Sequence, residues 1–254
     1  MEQFVAWKAL ISAGEPTTLW QQFYVLFYQA FIENDRWLQY LNGVVTTLYV
    51  TVLALILGVI LGIIVAVIRT AHDQQRPGHR NPILGFVNGL LKIYVTVIRG
   101  TPMMVQLMIM GLVIFASSRN FVMVSALTLG INSGAYTAEI IRGGLMSVDH
   151  GQMEARRSLG LNYTDTMRFV VVPQAIKAIL PALGNEFIVL LKDTSLISVI
   201  GGKELLYAAR SVASRNYEPM YPYLGAAIIY LLLVMLFTWL LGIFERRLRA
   251  SDRR

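Results

Sequence analysis

Glu186 lies near the centre of a largely apolar run, residues 174–196. A carboxylate at mid-bilayer depth costs at least about 2.5 kcal/mol, so such a group faces a polar cavity or a partner. Asn185 adds polar atoms beside it, and Lys192 follows nearly two helical turns on. On one reading Glu186 faces a translocation path and pairs with a cationic group of a substrate: an α-ammonium, or a side-chain guanidinium, ammonium or imidazolium. On the other it makes an interhelical ion pair or hydrogen bond with Lys192, Lys177 or a second subunit. Thr101 and Pro102 form a second candidate, inside the run 83–118. Proline frees a backbone carbonyl there, which Thr or a partner helix can satisfy, so the position is either a structural kink or part of a substrate path.

The other chemistry-bearing stretch is 149–173, DHGQMEARRSLGLNYTDTMRFVVVP, polar and charged between long apolar runs. Asp149 can N-cap a short helix and Gly160 can end it in a left-handed conformation. Between them lie about three turns, roughly 16 Å. Met153 and Leu159 offer a small apolar knob flanked by Glu154, Arg156 and Arg157. Such a helix is either an ordinary surface element or one that presses into a groove on another protein.

Catalysis finds little support. No G-x-x-x-x-G-K-[ST] phosphate loop is present, and Gly201-Gly202-Lys203-Glu204 is not one. His72, His79 and His150 all fall in loops, with no Ser/His pair or metal-ligand cluster in the apolar runs. The chain has no cysteine, hence no disulfide or thiolate site.

The elements that hold these residues must be membrane helices. Hydrophobic residues make up 56% of the 254, charged ones 15%, and the charges cluster between apolar runs. The net charge of +7 sits at the ends of those runs, as the positive-inside rule requires, with no basic-aromatic stripe for a nucleic acid. The N-terminus lacks a cleavable signal pattern. Residues 1–40 read as an interfacial, peripheral segment, with 20–31 an aromatic amphipathic helix broken at Asn34-Asp35.

Residues 41–245 hold five expected spans, at about 43–68, 83–118, 120–138, 174–196 and 220–244, and 246–254 form a basic tail. The first is uncharged from 41 to 68 and carries Gly58 and Gly62 as a small-xxx-small pair for close helix approach. The second, at 36 residues, would be roughly 54 Å as straight helix, so it protrudes or kinks near Arg99-Gly100-Thr101-Pro102. Two crossings there would put the Arg-rich 70–82 and 149–173 loops on opposite sides, so one crossing is preferred. Glu139 and Arg142, three apart at the end of the next run, are expected to pair locally. The stretch 197–218 reads as a mixed connection. The charge bias predicts an outer N-terminus and a cytoplasmic C-terminus.

EARRSLG followed by VVVP resembles the EAA signature of ABC-type import permeases. Glu154, Ala155, Gly160 and Pro173 match it, Arg156 replaces the second Ala, and Val170 and Val172 stand for Ile and Leu. The segments 98–107, 135–144 and 183–202 resemble the polar amino-acid branch, and the likeness covers most of residues 40 to 245. It implies an all-α membrane protein of the type I ABC importer permease fold, with a cytoplasmic coupling helix built on Asp149, Met153, Glu154, Ala155, Arg156, Leu159 and Gly160.

The resemblance also implies partners: a second permease subunit, identical or paralogous, a cytoplasmic ABC ATPase dimer, and an extracytoplasmic amino-acid-binding protein. ATP would sit on the ATPase subunits, with no cofactor on this chain. Where the related permeases commonly carry Gln, this chain has Glu186, which leans toward basic amino acids; glutamine, opines and sulfur compounds are other cargo of the family. The rival expectation is a stand-alone secondary transporter or channel, which the odd span number and the EAA-like segment disfavour.

Overall fold

The computed structural model describes residues 2–75, 81–148 and 162–250, and within them the chain is almost entirely helical. Two short helices, α1 (Glu2–Ser12) and α2 (Leu19–Phe31), precede a 3₁₀ turn and the long α3 (Arg36–Asp73). Then come α4 (Pro82–Gly100), α5 (Met103–Ile109), which runs on as a π turn, and α6 (Phe121–Met146). The stretch Tyr163–Val171 forms one α turn and one π turn before α7 (Val172–Asp193). A 3₁₀ turn (Thr194–Ile200), α8 (Leu205–Asn216) and α9 (Met220–Ala250) complete the described chain.

Local sequence sets these limits. Thr18 and Gln21 make a reciprocal capping box at the start of α2. Asn34 and Asp35 both take left-handed φ, which bends the chain from α2 into α3. Asn81 caps α4 by accepting the Ile83 and Leu84 N–H groups, and Pro82 occupies the first turn, where its missing N–H costs nothing. Pro173 stands in the first turn of α7, directly after the π turn, whereas Pro181 lies inside α7 without ending it.

Five of the described helical stretches are long and apolar enough to cross a membrane: Glu33–Asp73, Pro82–Gly100, Phe121–Met146, Met167–Ile200 and Met220–Leu248. The number is the expected one, but the limits differ from those read from hydropathy, because helices continue past their apolar cores into polar turns. The 43–68 span begins at the 3₁₀ turn and ends at Asp73, and the 120–138 span runs on to Met146. The 83–118 stretch is not one helix. It stops at Gly100, already long enough to cross, and resumes as the shorter Met103–Ile114. The connection at 197–218 is itself largely structured, as a 3₁₀ turn and α8. The peripheral reading of 1–40 also changes at its end, since Arg36–Tyr40 open α3, and the Phe31 ring of α2 packs at a tilt against Tyr40.

The centre of the fold is the pairing of α3 with α6, made close by small residues on both. A Cβ added at Gly58 would lie 2.8 Å from the Ser133 hydroxyl, and one at Gly62 would lie 2.5 Å from Thr137 Cγ2. Reciprocally, a Cβ at Gly130 would meet Leu57 at 2.7 Å and one at Gly134 would meet Leu61 at 2.9 Å. The backbones therefore approach as only glycine allows, which is how helices associate where no hydrophobic effect drives them together. Gly62→Ala should overpack this seam at about 1–3 kcal/mol. A lowered thermal midpoint of the purified protein checks it, with Gly89→Ala as control, because no heavy atom lies within 4 Å of that position. Around the seam, Leu107 of α5 and Leu129, Leu190 and Ile197 are almost fully buried in one cluster, so α5 is anchored in the core although it is too short to cross.

Candidate functional site

Glu186 lines a cavity of about 190 Å³ bounded by α5, α6 and α7. Its walls are Thr101, Met103, Asn132, Tyr136, Glu186, Val189, Leu190 and Asp193. The α7 contribution follows helical periodicity: positions 186, 189, 190 and 193 share one face, which brings two carboxylates two turns apart to the same space. Ser133 of α6 donates to Glu186 Oε1 at 2.8 Å. An ionised carboxylate has roughly four acceptor sites, so one hydroxyl leaves most of its capacity open to the cavity. Among the described residues, none that lines the cavity is basic.

The other candidates separate. Thr101 is on the wall, whereas Pro102 is exposed at the N-cap of α5 and Asn185 is exposed, neither being a lining residue. Glu186 takes the Ser133 hydroxyl as partner rather than Lys192, which is exposed beside Asp193.

The break at Pro102 is what gives the cavity its α5 wall. Pro102 has no N–H for the Ile98 carbonyl one turn back, and Gln106 replaces it, donating from Nε2 to Ile98 O at 2.7 Å and to the Thr101 hydroxyl at 2.8 Å. The Thr101 hydroxyl in turn donates to Val97 O at 2.8 Å. Asn132 Nδ2 then donates to Gln106 Oε1 at 2.9 Å, tying the kink to α6. So the freed carbonyl is satisfied by a glutamine four residues past the proline, with Thr101 as an intermediate. At the edge of the site the Arg99 guanidinium lies 5.1 Å from the centroid of the Tyr136 ring, a cation–π contact.

Beyond Tyr136 on α6, Glu139 pairs with Arg142 at 2.9 Å and also with Arg69 of α3. The local pair was legible from its spacing; Arg69 adds a tie between the two central helices, near where each one ends. It stands just before the 149–161 stretch. Asp149, Met153, Glu154, Ala155, Arg156, Leu159 and Gly160 lie outside the described residues.

Sequence reasoning missed Ser133, Asn132, Tyr136, Asp193 and Gln106. Two signals were available. Asp193 is seven residues after Glu186, and Asn132 and Tyr136 are four apart on one face of α6.

The model of the family described as binding-protein-dependent transport system inner membrane component matches residues 78–250. The arginine transport system permease protein ArtQ of Bacillus subtilis strain 168 is 37% identical over 187 residues, 67% of this chain and 84% of that protein. The glutamine transport system permease protein GlnP of Escherichia coli K12 is 36% identical over 169 residues, 64% of this chain and 76% of that protein. A solved amino acid ABC transporter with histidines superposes with a TM-score of 0.74 at 41% identity, covering 82% of this chain and 94% of that one. The MetNI methionine ABC transporter, in an inward facing conformation, superposes with a TM-score of 0.71 at 18% identity, a likeness of fold alone.

Proposed function

This chain belongs to the family of binding-protein-dependent transport system inner membrane components, and from that premise we propose that it carries basic amino acids (arginine, lysine, histidine) as the membrane-spanning subunit of an ATP-driven importer. Membership makes it a transport component of an inner membrane, with the all-helical fold of ABC importer permeases. The observation that carries the choice of cargo is the pair Glu186 and Asp193, two carboxylates on one face of α7 in a cavity with no basic side chain among the described residues that line it. In a low-dielectric site, such carboxylates favour a cationic guest and are compensated by it. The Ser133 hydroxyl holds Glu186 in place, while Asn132 and Thr101 supply neutral hydrogen-bonding groups for the rest of the molecule.

The remaining parts of the machine are assigned on family grounds. Two permease subunits, either identical or paralogous, sit with two cytoplasmic ATPase subunits and receive cargo from an extracytoplasmic binding protein. ATP binds to the ATPase subunits and this chain contributes no cofactor. The 149–160 stretch is the coupling helix, seated in a groove of the ATPase, with the C-terminus on the same side and the N-terminus outside. ATPase closure moves that helix, and with it the ends of α6 and α7, biasing two states that open the cavity inward or outward. The Arg69–Glu139–Arg142 cluster makes α3 and α6 move as one body in this scheme.

Competition tests the cargo class. With the detergent-solubilised transporter and labelled arginine, unlabelled lysine and histidine should displace the label at concentrations close to that of arginine, and glutamine should need at least about tenfold more. Equal displacement by glutamine, or displacement by glutamate, would contradict the assignment to basic amino acids.

A further inference from the structure

The neutral polar groups of the cavity are held in one sense by a chain of hydrogen bonds that begins at the Pro102 break. A carbonyl oxygen can only accept, so Ile98 O and Thr101 O fix which end of the Gln106 amide faces them: Nε2, at 2.7 and 3.1 Å. The same nitrogen donates to the Thr101 hydroxyl oxygen at 2.8 Å, so both of its hydrogens are committed. Gln106 Oε1 therefore turns the other way, and it too can only accept. Asn132 meets it at 2.9 Å, which requires the Asn132 nitrogen there and not its oxygen. Asn132 is on the cavity wall and Gln106 is not, so the nitrogen edge of the Asn132 amide is spent behind the wall and Oδ1 is the edge left for a guest. Thr101 is set in the same sense. Its one hydroxyl proton goes to Val97 O at 2.8 Å and one lone pair receives Gln106, which leaves a lone pair and no donor. With Glu186 and Asp193, four side chains among the described residues of the wall present oxygen acceptors, and only the Tyr136 hydroxyl can donate.

We infer that Gln106 is a positioning residue for cargo selection: it holds the Asn132 amide with its oxygen toward the cavity, where that oxygen accepts an N–H of the cationic side chain that neutralises Glu186. This rests on the functional reading above. The two groups belong together in the fold, since Ser133, the residue after Asn132, is the one that donates to Glu186. Without Gln106 the Asn132 amide can turn over and point its own N–H groups at the cation. A neutral carboxamide guest, which both donates and accepts, is insensitive to that reversal. Thr101 keeps its separate bond to Val97 O, so the effect passes through Asn132.

The test measures equilibrium binding of labelled arginine and labelled glutamine to the complete solubilised transporter carrying Gln106→Met, Asn132→Ala or both. Methionine keeps the length of glutamine, and α5 stays anchored by the buried Leu107, but the hydrogen bonds of the Gln106 amide are gone. Gln106→Met should weaken arginine about tenfold, the effect of one hydrogen bond to a charged group, and glutamine by less than about threefold. Asn132→Ala should lower the preference for arginine over glutamine in the same direction. The double variant should show no lower a preference than Asn132→Ala alone, because no amide is left at 132 to orient. A purely structural role would weaken both ligands together, so an unchanged preference in Gln106→Met overturns the inference, as do losses that multiply in the double variant. If Gln106→Met does not assemble, an unchanged preference in Asn132→Ala overturns it equally. Failure of the functional reading shows in the wild type instead: with no preference for arginine over glutamine there, that reading is wrong and the inference falls with it.

Discussion

Glu186→Gln should weaken arginine binding by about 100-fold, the roughly 3 kcal/mol lost when one member of a desolvated, hydrogen-bonded charge pair is removed. The substitution keeps the shape of the side chain, and the amide oxygen can still accept from Ser133, so the helix contact at 2.8 Å survives. Only the charge is gone. Asp193 remains on the cavity wall, which limits the loss and keeps residual selectivity for cations. Glutamine, which brings no side-chain charge, should change by less than about threefold. Equilibrium binding of labelled arginine and glutamine to the solubilised transporter reads both numbers. If the preference among arginine, histidine and glutamine is the same in both proteins, Glu186 does not face the substrate.

A second large effect is expected in the 149–160 stretch. Glu154→Lys or Gly160→Leu should leave insertion and assembly of the permease intact while reducing ATP-dependent uptake at least about 100-fold, since a helix that cannot seat in its groove transmits none of the motor's displacement. Gly160 is the expected left-handed end of that helix, where a branched side chain costs about 1 kcal/mol or more before any partner is met. ATP hydrolysis by the complex should continue at its basal rate, no longer stimulated by binding protein and cargo. Purified variants with normal coupled uptake would remove this stretch from the mechanism.

The legible part of the molecule was that which depends on composition and on single conspicuous residues. Five apolar runs, a kink at Pro102, a break at Asn34-Asp35 and a charge at Glu186 each announce themselves in one dimension. Gly58 and Gly62 were legible as a close-approach motif, but not their counterparts Gly130 and Gly134, because a seam needs two helices and the second is known only from the fold. The cavity was half legible for the same reason. Glu186 stands out as a charge among apolar neighbours, whereas Ser133, Asn132 and Tyr136 are unremarkable until α6 is laid against α7. Asp193 falls inside the expected span at 174–196, but only the fold shows that α7 turns it onto the Glu186 face of the cavity.

The break expected near Arg99–Pro102 is there, but it ends the span instead of kinking it. Hydropathy alone carries the run across Gly100–Pro102 to 118, while the backbone stops at Gly100, where the following proline lacks an N–H. Helix α8 was hidden because, apart from Leu205 and Val212, its buried side is alanine (Ala208, Ala209 and Ala213), which carries little hydropathy signal among Arg and Ser.

Everything proposed for this chain depends on its being a passive path worked by a separate ATPase. Reconstituting the permease into proteoliposomes, alone and then with its ATPase and binding protein, tests that dependence most directly. Arginine should accumulate only in the second preparation and only with ATP, and imposing a proton or sodium gradient on the first should produce no uptake. Accumulation by the permease alone, driven by an ion gradient, would contradict the account.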